Sequence, residues 1–165
     1  MLDICNLNIR FYKIREGRRA VQDLNLHMEP AEILGLVGES GSGKTVTAMA
    51  ISGLMSRSQA ECTGEIWFNG TELLSCPREE LRKLQGKDIG VVFQEPMSAM
   101  NPVMKIGAQI EEPLIIHTNM TPAERRDRVL FVLSAVELPE PEVVYHKYPH
   151  ELSGGMLQRA MIGAA

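Results

Sequence analysis

The stretch GESGSGKT, from Gly38 to Thr45, has the residue types and spacing needed to hold a chain of phosphates, because it fits the pattern GxxxxGK[ST] at every fixed position. Glycines accept positive φ and let backbone N–H groups surround an anion. Lys44 supplies an ammonium group for the outer phosphates, and the Thr45 hydroxyl can ligate Mg²⁺. The predicted binding residues are Gly38, Glu39, Ser40, Gly41, Ser42, Gly43, Lys44, Thr45 and Val46.

The flanking sequence predicts the elements that position this loop. Ile33–Val37 is a continuous apolar run, typical of a strand buried on both faces, and Val46–Met55 is predicted to be a helix. A helix that begins at the loop directs its partial positive charge towards phosphates. The alternative is a Gly/Ser turn with a chance lysine, and the strand-loop-helix order argues against it.

Two further stretches narrow the class of phosphate-loop protein, which otherwise includes kinases, GTPases, helicases and transport ATPases. VVFQEP places Gln94 at the end of a second predicted buried strand, Ile89–Phe93. LSGGMLQR begins at Leu152 and precedes an apolar run of helical type. FQEP alone is also compatible with an ordinary strand end, and Ser-Gly-Gly with a common turn. The three motifs are specific in this order and spacing.

With these motifs the chain resembles the ATP-binding subunit of an ABC transporter along essentially all 165 residues. The resemblance implies an α/β fold, the ABC-type nucleotide-binding domain of the P-loop NTPases in truncated form, with ATP and Mg²⁺ as cofactors. It also implies that residues 1–165 are the N-terminal part of one such domain. About 1–95 would form the P-loop core and an antiparallel β subdomain, and about 96–160 a helical subdomain carrying LSGG.

The resemblance assigns the LSGG residues to a nucleotide held by the P-loop of another subunit. Ser153, Gly154, Gly155 and Gln158 would make this contact. A hydroxyl, glycines that permit close approach and a helix N-terminus all suit an anion. The family usually has Gln directly after LSGG, where this chain has Met156, so any role of that first glutamine is in doubt.

The family resemblance also implies which residues contact the metal, the attacking water and the adenine. Gln94 would touch Mg²⁺ or the attacking water and would act with Lys44 in catalysis, and Thr45 and Gln94 would serve the metal. Phe11 is the first candidate to stack on adenine and Tyr12 the second, the alternative being a strand residue that packs on the core.

Within this family, three stretches resemble the branch of dipeptide, oligopeptide and nickel importers. They are VGESGSGKT, FQEPMSAMNP with the following IGAQIEEPL, and YPHELSGGMLQRAMI. That branch implies a second ATPase subunit, two transmembrane permease subunits and, indirectly, a solute-binding protein. The location implied is cytoplasmic and peripheral, on the inner face of the cell membrane. Met97–Ile110 is the expected permease contact. Its residues Met97, Met100 and Met104 suit an adaptable interface or, equally, the core.

Hydrolysis in this family needs an Asp-Glu strand and a later histidine, and neither follows LSGG in this sequence. We therefore expect the 165-residue chain to lack ATP hydrolysis on its own, to expose apolar surface and to stop within a helix at Met161–Ala165.

Two alternatives to a transport ATPase subunit are left open. One alternative is a nucleotide-binding or interaction fragment without turnover. Another is a soluble ABC ATPase of repair or translation, although no heptads lie between Lys44 and Leu152.

Composition and local patterns complete the prediction. A net charge of −4 argues against a nucleic-acid partner, and three dispersed cysteines indicate reduced thiols. The longest uncharged stretch, Thr45–Ser56, is too short to span a bilayer.

Local sequence patterns predict the remaining elements. Alternating apolar residues predict strands over 2–9, 21–28 and 65–68, and turns are predicted at 15–18 and at Asn69-Gly70. A helix is predicted over 78–84, and a second helix follows a capping box at Thr121-Pro122-Ala123-Glu124. Residues 139–149 are predicted to form a loop. His146 and His150 are expected to be loop or surface residues.

Overall fold

The computed structural model describes residues 1–12, 19–56 and 58–165, so the turn predicted at 15–18 lies outside the described residues. These residues form two compact units, Met1–Gln85 and Gly86–Ala165. The division falls before the subdomain boundary near residue 95 that the sequence suggested. No helix among the described residues is long and apolar enough to cross a membrane.

The first unit holds, within the described residues, an antiparallel sheet of strand order β2-β1-β3-β4. The strands are β1 (Leu2–Phe11), β2 (Arg19–Met28), β3 (Ala60–Phe68) and β4 (Thr71–Glu72). Ile4, Leu7, Ile9 and Ile66 are fully buried, as expected where apolar side chains alternate along half-buried strands. The alternation therefore predicted three of these strands correctly.

The connections of this unit follow local rules. Asn69 (φ 47°) and Gly70 (φ 84°) form the tight turn between β3 and β4, as predicted. Helix α1 covers Lys44–Ile51, starting earlier and ending earlier than the predicted Val46–Met55. It is followed by Gly53, whose φ of 69° does not continue a right-handed helix. Helix α2 has the predicted bounds, Arg78–Leu84.

Two predicted strands are wrong. Ile33–Val37 is not a strand, and Ile33 and Val37 are 98% and 95% exposed. Ile89–Phe93 has only an isolated bridge at Ile89, and Phe93 is 40% exposed. A strand in a parallel sheet needs hydrogen-bonding neighbours on its edges. Among the described residues no segment pairs with Ile33–Val37, and Ile89–Phe93 has only the single bridge at Ile89. The apolar composition was identified correctly, and the expected exposed apolar surface is present.

The second unit is helical. Its helices are α3 (Pro96–Ala99), α4 (Ile106–His117), α5 (Pro122–Ala135), α6 (Pro141–His146) and α7 (Gly154–Ala164), with a 3₁₀ turn at Pro149–Glu151. Their apolar faces meet in one cluster of buried residues: Met100, Ile106, Ile110, Val129, Leu133, Leu138, Val144, Leu152, Leu157, Ala160 and Met161. Met100 is therefore a core residue, whereas Met97 is 55% exposed.

In this unit one local prediction is confirmed and another is wrong. The capping box is confirmed, because the Thr121 side chain accepts from the Glu124 N–H while Glu124 accepts from the Thr121 N–H. The loop predicted over 139–149 is wrong, since α6 and the 3₁₀ turn lie there. Pro141 and Pro149 each stand at the start of their helical turn, where proline lacks only an N–H that has no helical partner anyway.

Candidate functional site

The loop over residues 38–43 leads directly into α1. Gly43 caps that helix with φ 94° and ψ 0°, and Gly41 has φ 80°. These left-handed conformations are what glycine tolerates and other residues resist. The loop residues Gly38–Ser42 are exposed, and Lys44 is the first residue of the helix. The predicted arrangement of a glycine-rich loop before a helix N-terminus is therefore present.

At Gly43 and Gly38 a side chain would also overlap neighbouring atoms. A Cβ at Gly43 would lie 2.5 Å from the carbonyl oxygen of Ala20 and 2.9 Å from Cγ2 of Val21. A Cβ at Gly38 would lie 2.7 Å from Oγ of Ser42. The first contact presses the start of α1 against β2, so that β2 forms one wall beside the loop.

Lys44 folds its side chain back over this loop. Its Nζ donates to the carbonyl oxygens of Gly38 and Glu39, each at 2.7 Å, and lies 3.4 Å from Oγ of Ser42. The ammonium charge is thus held at the loop, beside the helix N-terminus, where both would attract an anion. Thr45, the next residue, is exposed.

The rest of the first turn is packed. Val46 is half-buried and Thr47 is buried, with its hydroxyl donating to the Gly43 carbonyl oxygen at 3.0 Å. Thr45, by contrast, is exposed in the same turn.

A cleft of about 340 Å³ lies between the loop and β2. This volume is within the range of small-molecule sites. Arg19 and Lys44 are the charged residues of its wall, and both are cationic. The full lining is Arg19, Ala20, Val21, Gln22, Leu24, Leu36, Val37, Gly38, Ser42, Gly43, Lys44 and Thr47. Sequence reasoning missed Arg19; its only signal was a basic residue directly before the apolar alternation of β2.

The two candidates for adenine stacking lie elsewhere in this unit. Phe11 is the half-buried last residue of β1, and it pairs with Ala60 of β3. Tyr12 is exposed, with its N–H donating to the Gln59 carbonyl oxygen at 3.0 Å. Neither residue lines the cleft beside Lys44. Their contact with a base stays a prediction.

The LSGG residues surround the N-terminus of α7. Ser153 is its N-cap, and its Oγ accepts from the Met156 N–H at 3.4 Å. Ser153, Gly154 and Gly155 are exposed, and a Cβ on either glycine would meet no atom within 4 Å. Gln158 is half-buried one turn further along. The fold of this unit therefore needs no glycine at either position.

The remaining α7 residues anchor this motif. Leu157, Ala160 and Met161 are buried in the helical core. Arg159 donates to the Glu137 carbonyl oxygen at 2.9 Å. Because one face of the helix is packed in this way, its N-terminus is held in a defined place.

The other predicted side chains of this unit are distributed as follows. Gln94 is exposed and lies just before α3. His146 ends α6 and makes an edge contact with the Tyr145 ring, and His150 stacks on Tyr148. Thus Lys44 and Thr45 belong to the first unit, whereas Gln94 and Ser153 belong to the second.

An ion pair braces the helices that carry these residues. Nε of Arg125 on α5 lies 2.8 Å from Oε1 of Glu111 on α4, with side-chain exposures of 19% and 16%. The Tyr145 hydroxyl donates to the other oxygen of Glu111 at 3.4 Å. Burial, together with the Glu111 charge, raises the pKa of Tyr145.

Comparisons with known proteins identify the family and the fold of the chain. Residues 21–165 match the model of the ABC transporter family, so the chain belongs to that family. It superposes on the ATP-binding cassette MJ0796, in a dimeric post-hydrolysis state bound to ADP and Pi, with a TM-score of 0.86 and 30% identity, over 99% of this chain and 68% of that one. The predicted fold class is therefore confirmed: this is an ABC-type nucleotide-binding fold of the P-loop NTPases, in which antiparallel strands precede helices.

Curated relatives add a more specific likeness. The chain is 42% identical over 165 residues to the oligopeptide transport ATP-binding protein OppD of Escherichia coli (strain K12), covering 100% of this chain and 49% of that protein. It is 39% identical over 166 residues to the dipeptide transport ATP-binding protein DppD of Lactococcus lactis subsp. cremoris (strain MG1363), covering 100% of this chain and 48% of that one. The chain thus spans about half the length of these relatives.

Proposed function

We propose that this chain is the P-loop-bearing part of an ATPase subunit of an ABC importer, which couples ATP binding and hydrolysis to the uptake of peptides. The observation that carries the proposal is the loop from Gly38 to Lys44. It combines glycines at positive φ, a helix N-terminus and an ammonium group at the edge of one cleft. The names of the relatives, oligopeptide and dipeptide transport proteins, favour peptides over nickel as the solute.

The residues of the cleft fit ATP with Mg²⁺. Lys44 now donates to the Gly38 and Glu39 carbonyl oxygens and would turn those hydrogen bonds towards phosphate oxygens. The proposed metal-side residue of this unit is Thr45, which follows Lys44 and is exposed. The family resemblance adds Gln94 to the proposed metal-side residues. Bound Mg²⁺ offsets the charge on the phosphates during their transfer. Positioning and electrostatics supply the catalysis, because little covalent chemistry is asked of the protein.

The exposed LSGG motif supports a second proposed contact. Ser153, Gly154 and Gly155 present a hydroxyl and open backbone at a helix N-terminus, which suits the outer phosphate of a nucleotide held by another ATPase subunit. The likeness to a dimeric cassette supports pairing with a like subunit. The proposed assembly also includes two transmembrane permease subunits, a solute-binding protein, and attachment to the cytoplasmic face of the membrane.

The test is calorimetric titration of the protein with Mg-ATP, with phosphate release followed in parallel. Lys44→Ala should abolish binding, because it removes the ammonium at the loop. Lys83→Ala is the matched control, since that lysine is exposed on α2 and pairs only with Glu80 among the described residues. It should bind as the wild type does.

Each result separates the possible functions. Binding and phosphate release that both depend on Lys44 would support the ATPase proposal. Binding without phosphate release would assign these 165 residues to nucleotide binding alone. Equal binding by the wild type and Lys44→Ala would overturn the assignment of the loop.

A further inference from the structure

A second cavity, of about 360 Å³, lies on the antiparallel sheet of the first unit. Its volume is within the range of sites for small ligands. Its wall consists of polar and charged residues, which are Asn8, Arg10, Arg19, Glu61 and Thr63. All of them belong to β1, β2 or β3, and no motif of the sequence includes any of them. The proposed ATPase function therefore does not account for this cavity.

Strand pairing brings four of these residues onto one face of the sheet. Arg10 is opposite Glu61, and Asn8 is opposite Thr63, across β1 and β3. Ile9, which lies between Asn8 and Arg10 on β1, is fully buried. Because side chains alternate between the two faces of a strand, the cavity lies on the face that points away from the core.

A bulge in β2 adds Arg19 to the same face. Ile9 pairs with the buried Val21, whereas the next residue, Arg10, pairs with Arg19, so β2 advances two residues where β1 advances one. In a regular strand Arg19 would share the face of Val21, since side chains two residues apart lie on one side. Bulges re-aim side chains in this manner. The bulge therefore sets two arginines directly opposite each other.

The charges of these two arginines are not equally compensated. Arg10 forms an ion pair of 2.8 Å with Glu61, whereas Nη1 of Arg19 donates to Oδ1 of Asn8, a neutral amide, at 2.8 Å. Among the described residues Arg19 has no acidic partner. Arg19 borders both this cavity and the Lys44 cleft, but Asn8 borders only this one, so the hydrogen bond holds the guanidinium here. Like charges directly opposite each other destabilise a sheet, and an anion beside them would relieve this repulsion.

The Asn8 side chain is itself held in one orientation. Its Nδ2 donates to the Asn6 carbonyl oxygen at 2.8 Å and to Oδ1 of Asp23 at 3.1 Å. Its Oδ1 accepts from the Asp23 N–H at 3.2 Å as well as from Arg19. The Asp23 carboxylate is thus engaged by Asn8, and Asp23 does not line the cavity. These contacts fix the oxygen that holds the Arg19 guanidinium.

We propose that this cavity binds a small anion of the phosphate class through Arg19 and Thr63, with Asn8 as the residue that positions Arg19. Two guanidinium groups and one carboxylate give the lining a net charge of +1, in a chain whose net charge is −4. A guanidinium has five N–H donors in a planar fork that matches phosphate, and Asn8 uses one of those of Arg19.

Thr63 supplies the donor from the neighbouring side of the cavity. It is exposed, and its hydroxyl forms no hydrogen bond with the described residues. A phosphate group has more acceptor oxygens than a carboxylate and can accept from donors on two strands at once. The site is separate from the proposed ATP site and does not depend on the proposed function.

The test is an NMR titration of isotope-labelled protein with inorganic phosphate at constant ionic strength. It is made on the Lys44→Ala variant, so that the phosphate loop does not compete. The signals of the Asn8 side-chain amide, Arg19 Nε–H and the Thr63 amide should shift together, with a Kd of about 1 mM, as two hydrogen bonds to charged groups would give. Arg19→Gln should weaken this binding at least about tenfold. Arg82→Gln, which removes an exposed arginine on α2, is the matched control and should leave it unchanged.

A second variant should act in the opposite direction. Glu61→Gln removes the carboxylate that competes for Arg10, so phosphate should bind about twofold to fivefold more tightly. Arg19→Gln should not lower the urea midpoint in phosphate-free buffer, because it removes one of two like charges that face each other.

Other outcomes overturn the proposal. One is the absence of shifts at Asn8, Arg19 and Thr63 up to about ten times the expected Kd. Equal weakening by Arg19→Gln and Arg82→Gln would mean that phosphate responds only to the general charge of the protein. Shifts as large with acetate as with phosphate would contradict the phosphate class. Should Arg19→Gln unfold, Glu61→Gln decides, because unchanged or weaker phosphate binding by that variant would exclude the site.

Discussion

The carbonyl oxygen of Ala20 occupies the space that a side chain on Gly43 would need, 2.5 Å from the position of its Cβ. This contact joins the start of α1 to β2 and so makes the antiparallel sheet a wall of the phosphate-loop cleft. Gly43 is therefore required twice, once by its φ of 94° and once by the space beside it. Gly41 is required only by its φ of 80°, since a Cβ there would meet nothing within 4 Å.

Replacing these two glycines should separate the two requirements. Gly41→Ala should cost about 1 kcal/mol of folding free energy, the strain of a left-handed residue. Gly43→Ala should cost about 3 kcal/mol, because backbone overlap adds to that strain. Urea unfolding of both variants provides the measurement. Equal losses would show that the Ala20 contact relaxes at little cost, and calorimetry with ATP would show whether the loop survives.

The glycines of LSGG should respond in the opposite direction. Gly155 lies in the first turn of α7 with open space around it, so Gly155→Ala should raise stability by up to about 1 kcal/mol through helix propensity. ATP hydrolysis by the proposed transporter assembly should fall at least about tenfold if a nucleotide approaches this backbone from another subunit. Phosphate release and urea unfolding measure the two effects.

Gly163 provides the control in the same helix. A Cβ there would lie 2.8 Å from Cγ1 of Val132, so Gly163→Ala should lower stability. If Gly155→Ala also destabilised the protein, α7 would need that glycine for its own packing. Unchanged hydrolysis by a stable Gly155→Ala variant would contradict the proposed contact between subunits.

The ion pair between Arg125 and Glu111 should matter more than a surface pair. Arg125→Met leaves the Glu111 carboxylate largely buried without its guanidinium partner, and we expect a loss of about 2 kcal/mol in unfolding free energy. Lys83→Met removes the exposed pair with Glu80 and should cost no more than about 0.5 kcal/mol. Urea unfolding compares the two variants. Similar small losses would mean that water reaches Glu111 readily.

His27 should stay protonated well above neutral pH. Hydrogen bonds with Asp3 and then with Glu29 raise its pKa from 6.5 to about 9. Because the folded protein holds this proton more tightly than the unfolded chain, the stabilisation is complete below pH 6.5 and is lost as pH rises through about 9. An NMR titration of the His27 ring measures the pKa. Asp3→Asn should lower it, and a midpoint near 6.5 in the wild type would contradict the observed hydrogen bonds.

Local patterns were enough to predict much of the fold. The period of two along β1 and β2, the Asn69-Gly70 turn and the Thr121 capping box each depend on residues close in sequence, so their physics is contained in a short stretch. The phosphate loop belongs to the same group, because glycines, a lysine and a helix start act within a few residues. The family resemblance rested on such motifs and was confirmed.

What the sequence determined by itself was therefore the family, the local turns and the capping box, because each depends on residues close together in the chain. Only the tertiary structure decided which apolar runs are covered, because Val37 and Phe93 are exposed despite strand-like composition. It also decided the partners of two neighbouring arginines, because strand pairing gives Arg10 a carboxylate partner, Glu61, whereas Arg19 donates to the amide oxygen of Asn8. These differences arise from contacts between segments that are distant in the sequence, and residue type alone does not determine which segments meet.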